Sequence, residues 1–143
     1  MFYQYPVGLA FLATVRGDGG PRVHPVCPLL HEGGLYALLI PSPKRSDLLR
    51  DGRYWMHSFP CDATEDAFSV SGDASLVKEA DVREAVVSMY LAERGDLSLA
   101  ATDPGPQLLF AFDIETCLFT RTMAHGDPKP MHAVWHDSRV LGE

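Results

Sequence analysis

The sequence predicts an α+β fold dominated by antiparallel β-structure, arranged as a closed or nearly closed small barrel with short helices. Three observations carry that prediction. Short apolar runs alternate with glycine-bearing turns over residues 8–40, and residues 68–76 alternate apolar and polar with period two. One segment alone, Ala80–Arg94, has a long amphipathic helical pattern. Unpaired strand edges are a hazard, and closing several short strands on themselves removes them.

Each element has its own reason. Gly8–Val15 is short and apolar, as a buried strand would be, and Arg16-Gly17-Asp18-Gly19-Gly20 supplies the residues of a tight turn. Pro21–His31 reads as a second strand, Glu32-Gly33-Gly34 as a second turn and Leu35–Ile40 as a third strand. Together these would make an antiparallel meander. Pro43–Arg50 reads as a short helix ending at Asp51-Gly52, with Gly52 in the usual position just past a helix. Arg53–Pro60 returns as a strand and Cys61–Asp66 is a polar loop. In the alternating run 68–76, Gly72 in mid-strand points to a bend or to close approach by another backbone.

Within Ala80–Arg94, Val82, Ala85, Val86, Met89 and Tyr90 fall on one helical face, and Gly95 ends the pattern. Residues 97–107 hold Asp103-Pro104-Gly105-Pro106 and read as a loop. Leu108–Met123 is consistent with one bent strand or two. The tail from Ala124 carries Pro128 and Pro130 before His132-Ala133-Val134-Trp135-His136.

A chain of 143 residues is the size of one domain. No apolar run approaches the roughly 20 residues needed to cross a bilayer, and Met1–Tyr5 has no secretion-signal pattern, so the expected location is cytoplasmic. The 3 cysteines form no CxxC pair, which argues against a disulfide framework or a cysteine zinc site. His132 and His136 lack a carboxylate or cysteine at ligand spacing, and no metal site is expected. With 12 cations against 19 carboxylates and a net charge of −7, nucleic acid and anionic membrane are excluded as general partners. A locally basic pocket for a small anion fits that balance better.

Ser42-Pro43-Lys44-Arg45 is the segment that would form such a pocket. It lies where an apolar strand ends and a helix can begin. Ser42 suits an N-cap and Pro43 the first helical position. Unpaired amides at the helix start, together with Lys44 and Arg45, would favour a phosphate monoester. The glycine-rich cradle of a nucleotide P-loop is missing. The competing reading of the same segment is a capped surface helix with solvated cations.

Three segments, in order and at matching spacing, resemble the pyridoxamine 5′-phosphate oxidase-like family, the FMN-binding split β-barrels. They are Ala10–Val26, then Leu35-Tyr36 through Ser42-Pro43-Lys44-Arg45-Ser46-Asp47-Leu48 to Arg53, and Phe68–Ala74. The resemblance covers residues 8 to about 90 and thins afterwards to Leu109–Ile114 and Trp135. It implies one FMN-binding domain over residues 1–143, a six-stranded Greek-key split barrel, and a homodimer with the cofactor at the subunit interface. By position it assigns Arg22, Ser42 and Lys44 to the FMN phosphate, with Arg45 as a neighbour able to share that role. His24, Pro25 and Val26 fall along the ring, and Trp135 is a candidate to stack on the cofactor's edge from the partner subunit.

The implied activity is a flavin-dependent oxidoreductase acting on a small molecule. The alternatives are a non-catalytic module that binds or stores flavin, deazaflavin F420 or haem, and a remnant in which only the dimer survives. The chain also departs from the oxidase proper. Cys27 replaces a second phosphate-binding lysine, Ala67 replaces a glutamine near the ring, and the vitamin B6-binding arginine motif is not recognisable. True pyridoxamine phosphate oxidation is therefore not expected. His24 has a plain alternative as a neutral, packed residue, and Trp135 as a core or interface tryptophan.

Overall fold

A computed structural model describes residues 1–61, 64–94 and 107–139. The strands are β1 (Ala10–Val15), β2 (Pro21–Val26), β3 (Leu29–His31), β4 (Gly34–Leu39), β5 (Arg53–Ser58), β6 (Ala67–Leu76), β7 (Leu108–Arg121) and β8 (Met131–His136). The helices are α1 (Pro43–Arg50) and α2 (Ala80–Arg94). The expected loop over residues 97–106 lies outside the described residues.

All pairings are antiparallel, in the order β2-β1-β5-β6-β7-β4-β3, with β8 added beside the second half of β7. The sheet curls into a half-barrel for a simple covalent reason. Its two end strands, β2 and β3, are consecutive in sequence and separated only by Cys27-Pro28. Three Cα–Cα steps of about 3.8 Å hold those edges within roughly 11 Å of each other.

This corrects two expectations. The run Pro21–His31 is two strands, broken at Pro28, which has no amide proton for a ladder. The meander fails because β2 pairs with β1 while β3 pairs with β4 at the opposite end of the sheet. The split strand and the tail strand give an 8-stranded sheet where six strands were expected. Leu108–Arg121 is one strand, and it carries the kink. The β6–β7 register shifts between Ser71 and Gly72, and a Cβ on Gly72 would sit 2.1 Å from the Asp113 carbonyl oxygen. Gly72 thus serves the close approach its mid-strand position suggested.

The interior follows the alternation. Leu12, Met56, Val70 and Phe110, at most 2 % exposed, meet in one cluster with Leu39 and Leu48. A smaller cluster of Leu29, Val86 and Leu109 seats α2 through Val82, Met89 and Tyr90. Among the described residues, no helix is long and apolar enough to cross a membrane.

Candidate functional site

The chain turns sharply from β4 into α1. Ser42 stands at the N-cap with extended backbone, and Pro43 occupies the first turn as expected. The Ser42 hydroxyl makes no cap, however: it donates to the Ile40 carbonyl oxygen at 3.0 Å. At the other end Gly52 has no left-handed φ. Glycine is needed there because a Cβ would stand 2.3 Å from Asp73 Oδ1 and 2.5 Å from the Ala74 carbonyl oxygen.

α1 packs on β1 and β6 with Asp47 and Leu48 turned inward. Asp47 has a side chain only 4 % exposed and is held by three donors. Arg22 Nε donates to Oδ2 at 2.6 Å, the Thr14 hydroxyl donates to the same oxygen at 2.9 Å, and Arg50 reaches Oδ1 at 3.3 Å. Arg50 also donates to the Val15 carbonyl. Burial pushes the Asp47 carboxyl up, but the Arg22, Thr14 and Arg50 donors outweigh it and hold the group below the usual carboxylate value.

Lys44 points elsewhere. Its ammonium donates to the Pro25 carbonyl oxygen at 2.8 Å, pinning α1 against β2. Both residues line a cleft of about 180 Å³, together with Val26, Cys27, Ile40 and Gln107. Burial lowers the Lys44 pKa, with the Cys27 thiol acting in the opposite direction. An ammonium partly stripped of water is favoured by an incoming anion more than a solvated one is.

The residues singled out in the sequence are thus distributed as follows. Pro25, Val26 and Lys44 share one cleft. Arg22 is not among its lining residues and has its Nε on Asp47. His24 is half-buried opposite Leu12 on β1. Ser42 and Arg45 are partly exposed at the start of α1. Trp135, 51 % exposed on β8, lines a different cleft of about 340 Å³ with Tyr36 and Asp137. The two histidines of β8 make local contacts to hydroxyls, His132 with Thr120 at 2.9 Å and His136 with Thr116 at 3.1 Å. No cluster suited to a metal ion occurs among the described residues.

Two contributors were not read from the sequence. Asp47 sits beside Leu48 on the inward face of α1, and a carboxylate on an apolar helix face is a signal of a buried partner. Gln107 was assigned to a loop, and nothing local marks it.

No family model matches the chain, and no curated protein matches it. Solved structures do. HutZ, the haem storage protein of Vibrio cholerae, superimposes with a TM-score of 0.68 at 16 % identity, over 80 % of this chain and 85 % of that one. A Listeria innocua protein carrying the provisional name pyridoxamine 5′-phosphate oxidase gives 0.63 at 17 %, over 81 % and 89 %. A NimC/NimA family protein of Clostridium acetobutylicum gives 0.62 at 18 %, over 91 % and 85 %. These superpositions and the curled antiparallel sheet show the fold: the chain is a split barrel built like these solved structures.

Proposed function

We propose that the chain is a homodimeric, FMN-dependent oxidoreductase of this fold, acting on a small molecule. The observation that carries the reading is the Lys44 cleft: a partly buried ammonium at a helix start, beside the exposed backbone of β2. Lys44 would hold the phosphate, with the Ser42 hydroxyl and Arg45 at the same helix start. Arg22 still has guanidinium donors other than the Nε given to Asp47. Pro25 and Val26 offer the flat, backbone-lined edge that a planar ring requires. Bound FMN would supply hydride transfer, and the chain would bind, orient and desolvate.

Two features support a second copy as part of the site. At about 180 Å³ the cleft is smaller than the roughly 300–1,000 Å³ of sites that enclose a ligand alone. The outer sheet face beside it is apolar: Val23 and Trp55 flank Ala13 across β2-β1-β5 and are 60 % and 42 % exposed. Phe11, 37 % exposed and stacked on Phe59, continues that face.

A second reading is a binding or storage protein without turnover. It draws on the haem storage protein among the structural neighbours and on the lack of a carboxylate or histidine among the described residues lining the cleft. The absorbance spectrum of the purified chain, followed by titration with FMN, deazaflavin F420 and hemin, separates the two. A flavin spectrum is expected. A Soret band would favour the second reading, and uptake of none of the three would end both.

A further inference from the structure

The interior of the half-barrel is not filled. A hollow of about 290 Å³ lies between the N-terminal residues and the strands β3, β4, β6 and β7, and it shares no lining residue with the Lys44 cleft. Its floor is core: Phe2, Leu35 and Val70 are at most 6 % exposed. Met1 and Leu30, 37 % and 53 % exposed, place its mouth at their end. Protein interiors are close-packed, and a void of this size left empty forfeits contacts along its whole lining.

The wall formed by the N-terminal residues is fixed in place. The Phe2 carbonyl oxygen accepts from the Leu9 amide at 2.9 Å, and the Phe2 ring packs on Phe68 with centroids 5.4 Å apart. Gln4 donates to the Phe59 carbonyl oxygen at 2.6 Å. Gly8 permits a close pass, since a Cβ there would stand 2.1 Å from the Pro28 carbonyl oxygen. The hollow is therefore preformed, as small-molecule sites commonly are.

Its chemistry is as uniform as its shape. No charged side chain lines it among the described residues. The Tyr3 hydroxyl is already committed, donating to Glu93 Oε1 at 3.1 Å and accepting from the Leu30 amide at 3.4 Å. Burial pushes the Tyr3 phenol and the Cys117 thiol up, so both stay neutral. An occupant gains apolar contact there and finds no counter-charge, so an ionised group would be desolvated without compensation. An apolar cavity of roughly 150 Å³ already takes up benzene.

We propose that this hollow is a second binding site, for an uncharged apolar molecule of about two aromatic rings. The inference is independent of the cofactor reading. The full-length chain titrated with N-phenyl-1-naphthylamine tests it, with 8-anilinonaphthalene-1-sulfonate as the probe of the same ring skeleton bearing a charge. Saturable uptake of the uncharged probe is expected, one per chain, at least tenfold tighter than that of the sulfonate. Cys117→Phe fills the hollow and Leu30→Asp sets a carboxylate at its mouth, and each should raise the Kd of the uncharged probe at least tenfold. Leu30 is exposed, so its variant keeps the fold and decides the matter if the phenylalanine variant does not fold. Absence of saturable uptake overturns the assignment, as does sulfonate binding of equal strength or undiminished uptake by folded variants. Uptake seen only in dilute protein also overturns it, because a second copy would then be filling the mouth.

Discussion

Arg22 Nε lies 2.6 Å from Asp47 Oδ2, joining β2 to the inward face of α1 across 25 residues of sequence. The contact decides what Arg22 does in this chain. One edge of its guanidinium is spent on a carboxylate that is 4 % exposed, and Lys44 alone of the two cations lines the cleft.

Asp47→Ala should cost about 3 kcal/mol of stability, measured as the urea midpoint, because it strands Thr14 and Arg22 around an empty position. Asp47→Asn keeps the shape and should cost less. A loss under about 0.5 kcal/mol for the alanine variant would mean the network is not formed.

The same carboxylate makes stability depend on acid. Its folded pKa lies below the ordinary 3.8, so the ionised form is the one the fold favours. The stabilisation is fully present above about pH 5 and is lost as pH falls below about 4 and through the folded value. Urea midpoints taken at pH 6 and pH 3 should therefore fall further for the wild type than for Asp47→Asn. Equal falls would show that other carboxylates govern the acid limb.

Lys44→Ala is expected to weaken FMN by tenfold or more while leaving riboflavin within about threefold, because only the phosphate meets the ammonium. Fluorescence titration with both ligands reads the difference. Equal losses would place Lys44 away from the phosphate. Arg22→Ala should differ in kind, lowering stability through Asp47 as well as any FMN preference it removes.

Val23→Asp and Trp55→Lys put charges on the apolar face of β2-β1-β5. Light scattering after size exclusion should report a dimer for the wild type and a monomer for the double variant, with flavin lost alongside. A double variant that stays dimeric and coloured would locate the subunit contact on another surface.

Gly72→Ala should cost about 3 kcal/mol, since the new methyl would stand 2.1 Å from the Asp113 carbonyl oxygen, inside any tolerable contact. The fully folded chain at near wild-type stability would show that the β6–β7 kink can relax.

Much of the fold was legible because it is local. The turn before Pro21, the start of α1 at Pro43, the period-two run to Leu76 and the bounds of α2 all follow from neighbours within a few residues. The tail strand β8 was not legible: all six of its residues are exposed, so no buried face imprints a pattern on it. Of the site, Lys44, Pro25 and Val26 were read from the sequence and do line one cleft, whereas Asp47 and Gln107 were not. Their roles depend on which distant groups surround them.

By itself, then, the sequence determined the inventory: short antiparallel strands, two helices, a helix start carrying a serine and two cations, and glycine where backbones crowd. Tertiary structure alone decided that β2 and β3 occupy opposite ends of the sheet, that Asp47 captures Arg22, and that Gln107 is buried beside Lys44. The physical reason is range. Propensity and turn chemistry act over a few residues, while strand partners and buried charge partners are chosen only when the curling sheet brings remote segments together.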